Sequence, residues 1–159
     1  MLSAGKRLRS ELNALRHTKD GDETITLEVD EDDIRKWRAF LQGPEGSPYA
    51  GFVFQMDVTV GDEYPLVPPM IRMNTKCFHP NIHFETGEIC LDILKKEWTP
   101  AWSLQSACRA IHCLLADPAA DSPLNCDAGN MVRAGDVLAF RSTAAMYSVE
   151  FARALDTSN

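Results

Sequence analysis

Cysteine and histidine side chains are concentrated in one stretch of the chain, at Cys77, His79, His83 and Cys90. Zn²⁺ binds such ligands, but no CxxC pair is present, and Pro80 prevents the two histidines from sharing a regular helix. A second possibility is a nucleophilic cysteine, which needs an accessible thiol and donors that stabilise an oxyanion. Free cysteine is also among the most buried residue types. Spacing alone therefore favours thiols packed in a core, with zinc binding and nucleophilic catalysis as alternatives.

The composition is that of a globular protein with an acidic surface. The 159 residues suit one domain, expected to span residues 1–159, and 45% of them are hydrophobic. Sixteen Lys and Arg against 23 Asp and Glu give a net charge of −7, which argues against a nucleic-acid binder that must neutralise phosphates. The first twenty residues are nevertheless basic. They form either a docking face or, more simply, a solvated face.

The cysteine count and the hydropathy limit the compartments in which the protein is expected. Five cysteines without an apolar signal peptide predict reduced thiols in an intracellular compartment rather than a disulfide framework. No uncharged apolar stretch approaches the roughly 20 residues that a membrane helix needs. Any association with a membrane is therefore expected to depend on a partner, without direct insertion.

The elements that must position these side chains follow from the spacing of apolar residues. Leucines at helical spacing predict a first helix over residues 3–17. Alternating apolar residues predict four strands, over residues 25–29, 37–42, 52–60 and 70–73. Consecutive strands with short links are typical of an antiparallel meander.

The second half of the chain predicts a long functional segment followed by helices. The apolar residues of 74–102 show neither helical spacing nor strand alternation. A segment of that length inside a compact domain is usually functional. Ser103 is predicted to cap a helix with one wide apolar stripe, which Pro118 ends. Two further helices are predicted, the first opening at Asp127 and the second capped by Asp136. The side chains predicted to share one face of the last helix are Val137, Phe140, Ala144, Tyr147 and Phe151. This order predicts the α+β class, with helices packed on the sheet.

Several dispersed motifs resemble the active-site signature of ubiquitin-conjugating enzymes. They are Gly43-Pro44, Tyr64-Pro65, Phe78-His79-Pro80-Asn81-Ile82, Gly87-Glu88-Ile89-Cys90-Leu91-Asp92, Trp98-Thr99-Pro100-Ala101-Trp102 and Ser122-Pro123-Leu124-Asn125. They occur in the order of that family, and the resemblance covers roughly residues 5–155. It implies the ubiquitin-conjugating-enzyme fold: an N-terminal helix, a four-stranded antiparallel meander, a long active-site loop and C-terminal helices.

The resemblance implies catalytic roles within the long segment. Cys90 would accept the C-terminal carboxyl of ubiquitin as a thioester from an activating enzyme that uses ATP, so no cofactor or metal is expected in the chain itself. Attack on a thioester creates an oxyanion, which the Asn81 amide would stabilise, unless that amide only holds the turn beside Cys90. The resemblance also places His79 among the catalytic residues. It would fix the same turn, and a general-base role is the alternative.

Two further positions depart from the common pattern of the family. Many members have an acidic residue directly before the Pro-Leu pair, close to an incoming lysine whose amine has a pKa of about 10.4. Ser122 occupies that position here and can orient a nucleophile but supplies no charge. His83 stands where other members often have Asn or Tyr. It is either a titratable group near the cysteine or a solvent-exposed loop residue.

The resemblance also implies partner surfaces. The residues that match the surface shared by RING-type ligases and the activating enzyme are Lys6, Arg7, Leu66, Pro100 and Ala101. Leu66 stands where a larger aromatic residue is common, and this difference bears on which ligase would bind.

The later part of the chain is most similar to the peroxisomal members of the family, on the run Pro123-Leu124-Asn125-Cys126-Asp127. That similarity implies ubiquitination of a peroxisomal import receptor and a membrane-bound peroxin that anchors the enzyme. It also implies recruitment from the cytoplasm to the cytosolic face of the peroxisomal membrane. The alternatives are a generic cytosolic enzyme of the family, a non-catalytic ubiquitin-binding variant and a zinc-binding module.

Overall fold

The computed structural model describes residues 3–18, 23–119 and 121–158. Its helices are α1 (Ala4–His17), α2 (Leu104–Ala116), α3 (Cys126–Arg133) and α4 (Val137–Phe151). Its strands are β1 (Ile25–Val29), β2 (Lys36–Gln42), β3 (Phe52–Thr59), β4 (Met70–Met73) and β5 (Arg153–Ala154). The predicted first helix and the four predicted strands are confirmed to within one residue at each end.

The sheet is an antiparallel meander in the order β1-β2-β3-β4. Trp37 of β2 lies opposite Val58 of β3, Val58 lies opposite Ile71 of β4, and all three are buried. Because side chains alternate across a strand, this register turns one apolar face of the sheet toward the core. The short strand β5 pairs with the start of β3. It was not predicted, since two residues show no periodicity.

Helix α2 covers the inner face of the sheet at β1 and β2. Its predicted cap is confirmed, because the Ser103 hydroxyl accepts the Ser106 N–H at 3.1 Å and the Ser106 hydroxyl accepts the Ser103 N–H at 2.8 Å. The residues of the predicted apolar stripe are all buried: Leu104, Ala107, Cys108, Ile111, Leu114 and Leu115. The long segment therefore ends on a rigid helix anchored in the core.

Helix α3 begins one residue before the predicted start. Asn125 is its cap, since the Asn125 side-chain oxygen accepts the Ala128 N–H at 3.1 Å. Asp127 instead lies in the first turn, where its charge favours the helix dipole. The prediction that Asp127 opens the helix was wrong because the sequence offers two good capping residues within three positions.

Helix α4 is apolar on two faces. On the inner face Phe140 and Ala144 are buried as predicted, whereas Val137 and Phe151 are exposed because they lie at the helix ends, beyond the core. The predicted face therefore contacts the core only in the middle of the helix. The exposed large apolar residues of the outer face are Leu138, Met146 and Val149. Among the described helices, none is both long and apolar enough to cross a membrane.

Candidate active site

The long segment contains a hairpin that carries Cys90. Ile82 and Ile89 lie opposite each other as an antiparallel bridge, and the Cys90 N–H donates to the Asn81 carbonyl at 2.8 Å. At the turn, the His83 N–H donates to the Glu88 carbonyl at 2.9 Å. Cys90 therefore ends the returning arm directly opposite Asn81, and we name residues 81–90 the Cys90 hairpin.

The turn of the Cys90 hairpin requires Gly87. This residue has a φ of 74°, and a Cβ atom there would lie 2.0 Å from the Met73 carbonyl oxygen. The Met73 N–H donates to the Gly87 carbonyl at 2.8 Å, which fixes the turn to β4. His83 Nδ1 accepts the N–H groups of Glu85 and Thr86 at 3.2 and 3.1 Å. His83 thus holds the turn by local hydrogen bonds and is partly buried rather than fully exposed.

His79 is completely buried directly before the hairpin. Its Nε2–H donates to the Leu114 carbonyl at 2.7 Å, and its Nδ1 accepts the Asn81 N–H at 3.0 Å. Burial lowers the pKa of the imidazole from 6.5 to about 4. Both ring nitrogens are occupied, so His79 joins the hairpin to α2 as a neutral positioning residue. This geometry argues against a general-base role.

The buried imidazole predicts an acid-sensitive fold. The folded protein excludes a proton that the unfolded chain binds between about pH 6.5 and 4, so stability falls as the pH falls through that window. Between pH 7 and pH 5 we expect His79 to account for a loss of about 2 kcal/mol in the free energy of unfolding. Urea titrations of the wild type and of His79→Gln at both pH values measure this loss. An equal pH dependence in the two proteins would contradict it.

Asn81 is held by its own side chain. It is only 2% exposed, its Nδ2 donates to the Ala119 carbonyl at 2.7 Å, and its Oδ1 accepts the Ala119 N–H at 2.8 Å. This two-point contact joins the Cys90 hairpin to the segment after α2. A primary amide has two N–H groups, and within the described ranges the second N–H has no protein acceptor. That N–H is the group available to an oxyanion.

Ser122 lies on a loop tied to the same turn. The N–H groups of Leu124 and Asn125 both donate to the Pro80 carbonyl, at 2.9 and 3.2 Å. Ser122 itself is exposed and has a φ of 55°, in the left-handed region. The structure therefore brings the loop of Ser122 against the Pro80–Asn81 end of the Cys90 hairpin.

The five thiols differ in their environments, and none is in a disulfide. Cys77 and Cys108 are buried, and desolvation raises the pKa of both thiols, that of Cys108 to about 12. They are inert as nucleophiles at neutral pH. Cys113 and Cys126 are exposed, and Cys90 is partly exposed. The described ranges contain no group of three or more His, Cys, Asp or Glu side chains placed to hold a metal ion.

The predicted partner residues lie where α1 meets two loops. Lys6, Pro100 and Ala101 are exposed, and Leu66 is 57% exposed. Arg7 differs from the prediction, because its Nη2 donates to the carbonyls of Pro100 and Trp102 at 2.9 and 2.8 Å. Arg7 therefore shapes this surface from within instead of reaching outward.

Glu11 is a residue of this surface that the sequence analysis missed. Its carboxylate accepts the Tyr64 hydroxyl at 2.6 Å, Arg7 Nε at 3.0 Å and the Leu104 N–H at 2.7 Å. Burial and this carboxylate raise the pKa of Tyr64. Glu11 thus connects α1, the 64–67 loop and the start of α2. The four-residue spacing from Arg7 to Glu11 was the available signal.

Comparisons with known proteins identify the family of this chain. The family model for the ubiquitin-conjugating enzyme matches residues 7–147. The chain is 53% identical to Protein PEROXIN-4 of Arabidopsis thaliana, over 93% of the chain and 94% of that protein. It is 49% identical to the ubiquitin-conjugating enzyme E2 pex4 of Dictyostelium discoideum, over 89% and 95%.

A solved structure extends the similarity to three dimensions. The chain matches H. polymorpha Pex4p, determined in complex with the soluble domain of Pex22p, with a TM-score of 0.87 and 33% identity. The match covers 95% of this chain and 99% of Pex4p. The chain belongs to the ubiquitin-conjugating enzyme family, and the relatives named above include peroxin-4 enzymes.

Proposed function

We propose that Cys90 carries ubiquitin in this ubiquitin-conjugating enzyme. The Cys90 thiolate attacks the thioester that links ubiquitin to the activating enzyme, the activating enzyme's thiolate leaves, and a new thioester forms on Cys90. An acceptor then attacks the same carbonyl carbon, and the Cys90 thiolate leaves. The observation that carries this role is the partly exposed Cys90 at the end of a hairpin, opposite an asparagine that has an N–H to spare. ATP is used upstream, so we assign no cofactor to this chain.

Both attacks pass through a tetrahedral intermediate with an oxyanion, which a fixed neutral donor stabilises. We assign this donor to Asn81 Nδ2. The contact with Ala119 supports the assignment, because it fixes the amide plane before the reaction begins. The positioning role and the oxyanion role of Asn81 are therefore compatible, each using a different N–H.

A gel assay tests the proposed function. After incubation with activating enzyme, ATP and ubiquitin, the wild-type chain should gain the mass of one ubiquitin on a non-reducing gel and lose it when thiol is added. A non-catalytic ubiquitin-binding variant of the fold would give no covalent adduct, and that result would refute the proposal.

We further propose that the site favours thiol acceptors over amines. A lysine amine, with a pKa of about 10.4, must lose its proton before it attacks, whereas a cysteine thiol, with a pKa of about 8.5, is partly ionised at neutral pH. Ser122 supplies no carboxylate that would assist an amine. A cysteine acceptor would agree with a role in modifying a peroxisomal import receptor.

Ser122→Asp should therefore increase discharge to free lysine more than discharge to free cysteine. Ser122→Asn is the matched control, since Asn has the same shape without the charge and both residues tolerate a positive φ. Single-turnover discharge with each amino acid measures the two rates. Equal acceleration for lysine and cysteine, or the same result with Ser122→Asn, would exclude a charge effect.

We assign the binding of the activating enzyme and of a RING-type ligase to the surface formed by Lys6, Leu66, Pro100 and Ala101. The support is exposure on elements that Arg7 and Glu11 hold together by hydrogen bonds. The exposed Leu66 would be the apolar centre of this contact.

We assign a second partner to the outer face of α4. Leu138 is 78% and Val149 71% exposed, and Met146 lies on the same helix. Exposed apolar groups on one helix are typical of a protein contact. The occupant we propose is a soluble domain of the Pex22 kind, because the similar Pex4p was solved with such a domain. This partner would recruit the enzyme from the cytoplasm to the cytosolic face of the peroxisomal membrane.

Reciprocal variants separate the two surfaces. Val149→Asp should abolish binding to a Pex22-type soluble domain, measured by titration calorimetry, and leave ligase-stimulated discharge unchanged. Leu66→Asp should do the reverse, so each variant is the control for the other. Loss of both activities in either variant, with an unchanged melting temperature, would show that the surfaces are wrongly assigned.

A further inference from the structure

Phe84, in the turn of the Cys90 hairpin, packs against the end of α4. Its ring centroid lies 4.9 Å from that of Tyr147 and 6.1 Å from that of Phe151. Both separations suit favourable ring pairs. The turn is thus in contact with the helical layer through a side chain that the proposed mechanism does not use.

Lys76 lies over two of these rings, those of Phe84 and Phe151. Its Nζ lies 5.3 Å from the Phe84 ring centroid and 5.4 Å from the Phe151 centroid, within the range of a cation–π interaction. The same Nζ lies 3.4 Å from a carboxylate oxygen of Glu85. Lys76 therefore contacts both the turn and α4, and we name Lys76, Phe84, Tyr147 and Phe151 the aromatic clamp.

The aromatic clamp is joined to the core. The Tyr147 ring lies 5.6 Å from the ring of Phe78, which is buried next to His79. The Phe78 carbonyl accepts the hydroxyl of the buried Tyr49 at 2.5 Å. Through Tyr147, Phe84 is therefore connected to the buried core.

The clamp adds side-chain contacts to a turn that is also held by a backbone hydrogen bond. The Met73 N–H donates to the Gly87 carbonyl and so ties the turn to β4. Cys90 and Asn81 lie on opposite arms of this hairpin, so a rotation of the turn would change how Cys90 is presented to the loop of Ser122. Small displacements of a reacting group carry large rate costs, up to about 10²-fold for 1 Å.

We propose that Phe84 is a positioning residue for ubiquitin transfer, which holds the Cys90 hairpin in its reactive geometry through the aromatic clamp. This inference rests on the proposed role of Cys90. Phe84 acts through the hairpin and does not touch the reacting atoms.

Single-turnover discharge of purified charged enzyme tests the inference. Phe84→Ala should lower the maximal discharge rate about tenfold, a fraction of the ~10²-fold cost of 1 Å, with an unchanged half-saturating acceptor concentration. Phe84→Tyr keeps the ring and should restore the rate. Phe151→Ala should lower the rate less, and the double variant should be no slower than Phe84→Ala, since both changes open one clamp.

Two controls separate positioning from general destabilisation. Ile25→Ala removes a buried side chain from β1, at the far edge of the sheet from β4, and Glu150→Ala alters an exposed position of α4 outside the clamp. Both should discharge at the wild-type rate while folded, as checked by circular dichroism. A wild-type rate in Phe84→Ala, or an equal loss in Ile25→Ala, overturns the inference. If Phe84→Ala does not fold, Phe151→Ala decides in the same way. Absence of any thiol-sensitive adduct in the wild type would instead refute the proposed function.

Discussion

Cys90→Ala should form no ubiquitin adduct, and Cys90→Ser should form one that resists thiol. Alanine offers no atom that can accept the acyl group, so the loss should be complete. Serine can accept it as an oxyester, which thiols do not cleave readily. Both outcomes follow from a single acceptor atom at the end of the Cys90 hairpin. Gels with and without reductant, after incubation with activating enzyme, ATP and ubiquitin, read out both results.

The matched controls are Cys113→Ser and Cys126→Ser, because these two thiols are more exposed than Cys90. Both variants should charge at the wild-type rate and give an adduct that thiol removes. If Cys90→Ala charges normally and either control fails to charge, another cysteine is the nucleophile.

Asn81→Ala should slow transfer from Cys90 by about 10²–10³, or roughly 2.7–4 kcal/mol, the cost typical of removing one oxyanion donor. The variant also loses both contacts with Ala119, so a lower melting temperature is expected alongside the slower rate. The rate must therefore be measured well below the melting temperature. Single-turnover discharge at saturating acceptor isolates the transfer step.

Asn81→Asp removes the N–H groups of the side chain while keeping its size. Aspartate keeps an oxygen that can accept the Ala119 N–H, but its carboxylate has no N–H to donate to an oxyanion. We expect it to be at least as slow as Asn81→Ala. If either variant melts early yet discharges at the wild-type rate while folded, the amide only holds the turn.

Local patterns predicted most of the fold because each element buries a periodic set of side chains. Helix α2 and its Ser103 cap are examples, since both depend on residues a few positions apart. The fifth strand and the exposure of both ends of α4 were not predicted. Their pairing and exposure depend on where the chain lies relative to the core, which local spacing does not encode.

The candidate site was less accessible to sequence reasoning. Composition and spacing favoured packed thiols, and only the family resemblance selected Cys90. The contact between Asn81 and Ala119, the carboxylate of Glu11 and the ring of Phe84 all join residues far apart in the chain. Contacts between residues so far apart in the chain leave no local pattern, because only the folded chain brings the two side chains together.

The most direct test identifies the atom that holds ubiquitin in the unmodified enzyme. The wild-type chain is charged, quenched in acid without reductant and digested, and mass spectrometry locates the cysteine joined to the C-terminal carboxyl of ubiquitin. We predict that the carboxyl is on Cys90 and on no other cysteine. A carboxyl found on Cys113 or Cys126 would contradict the central claim.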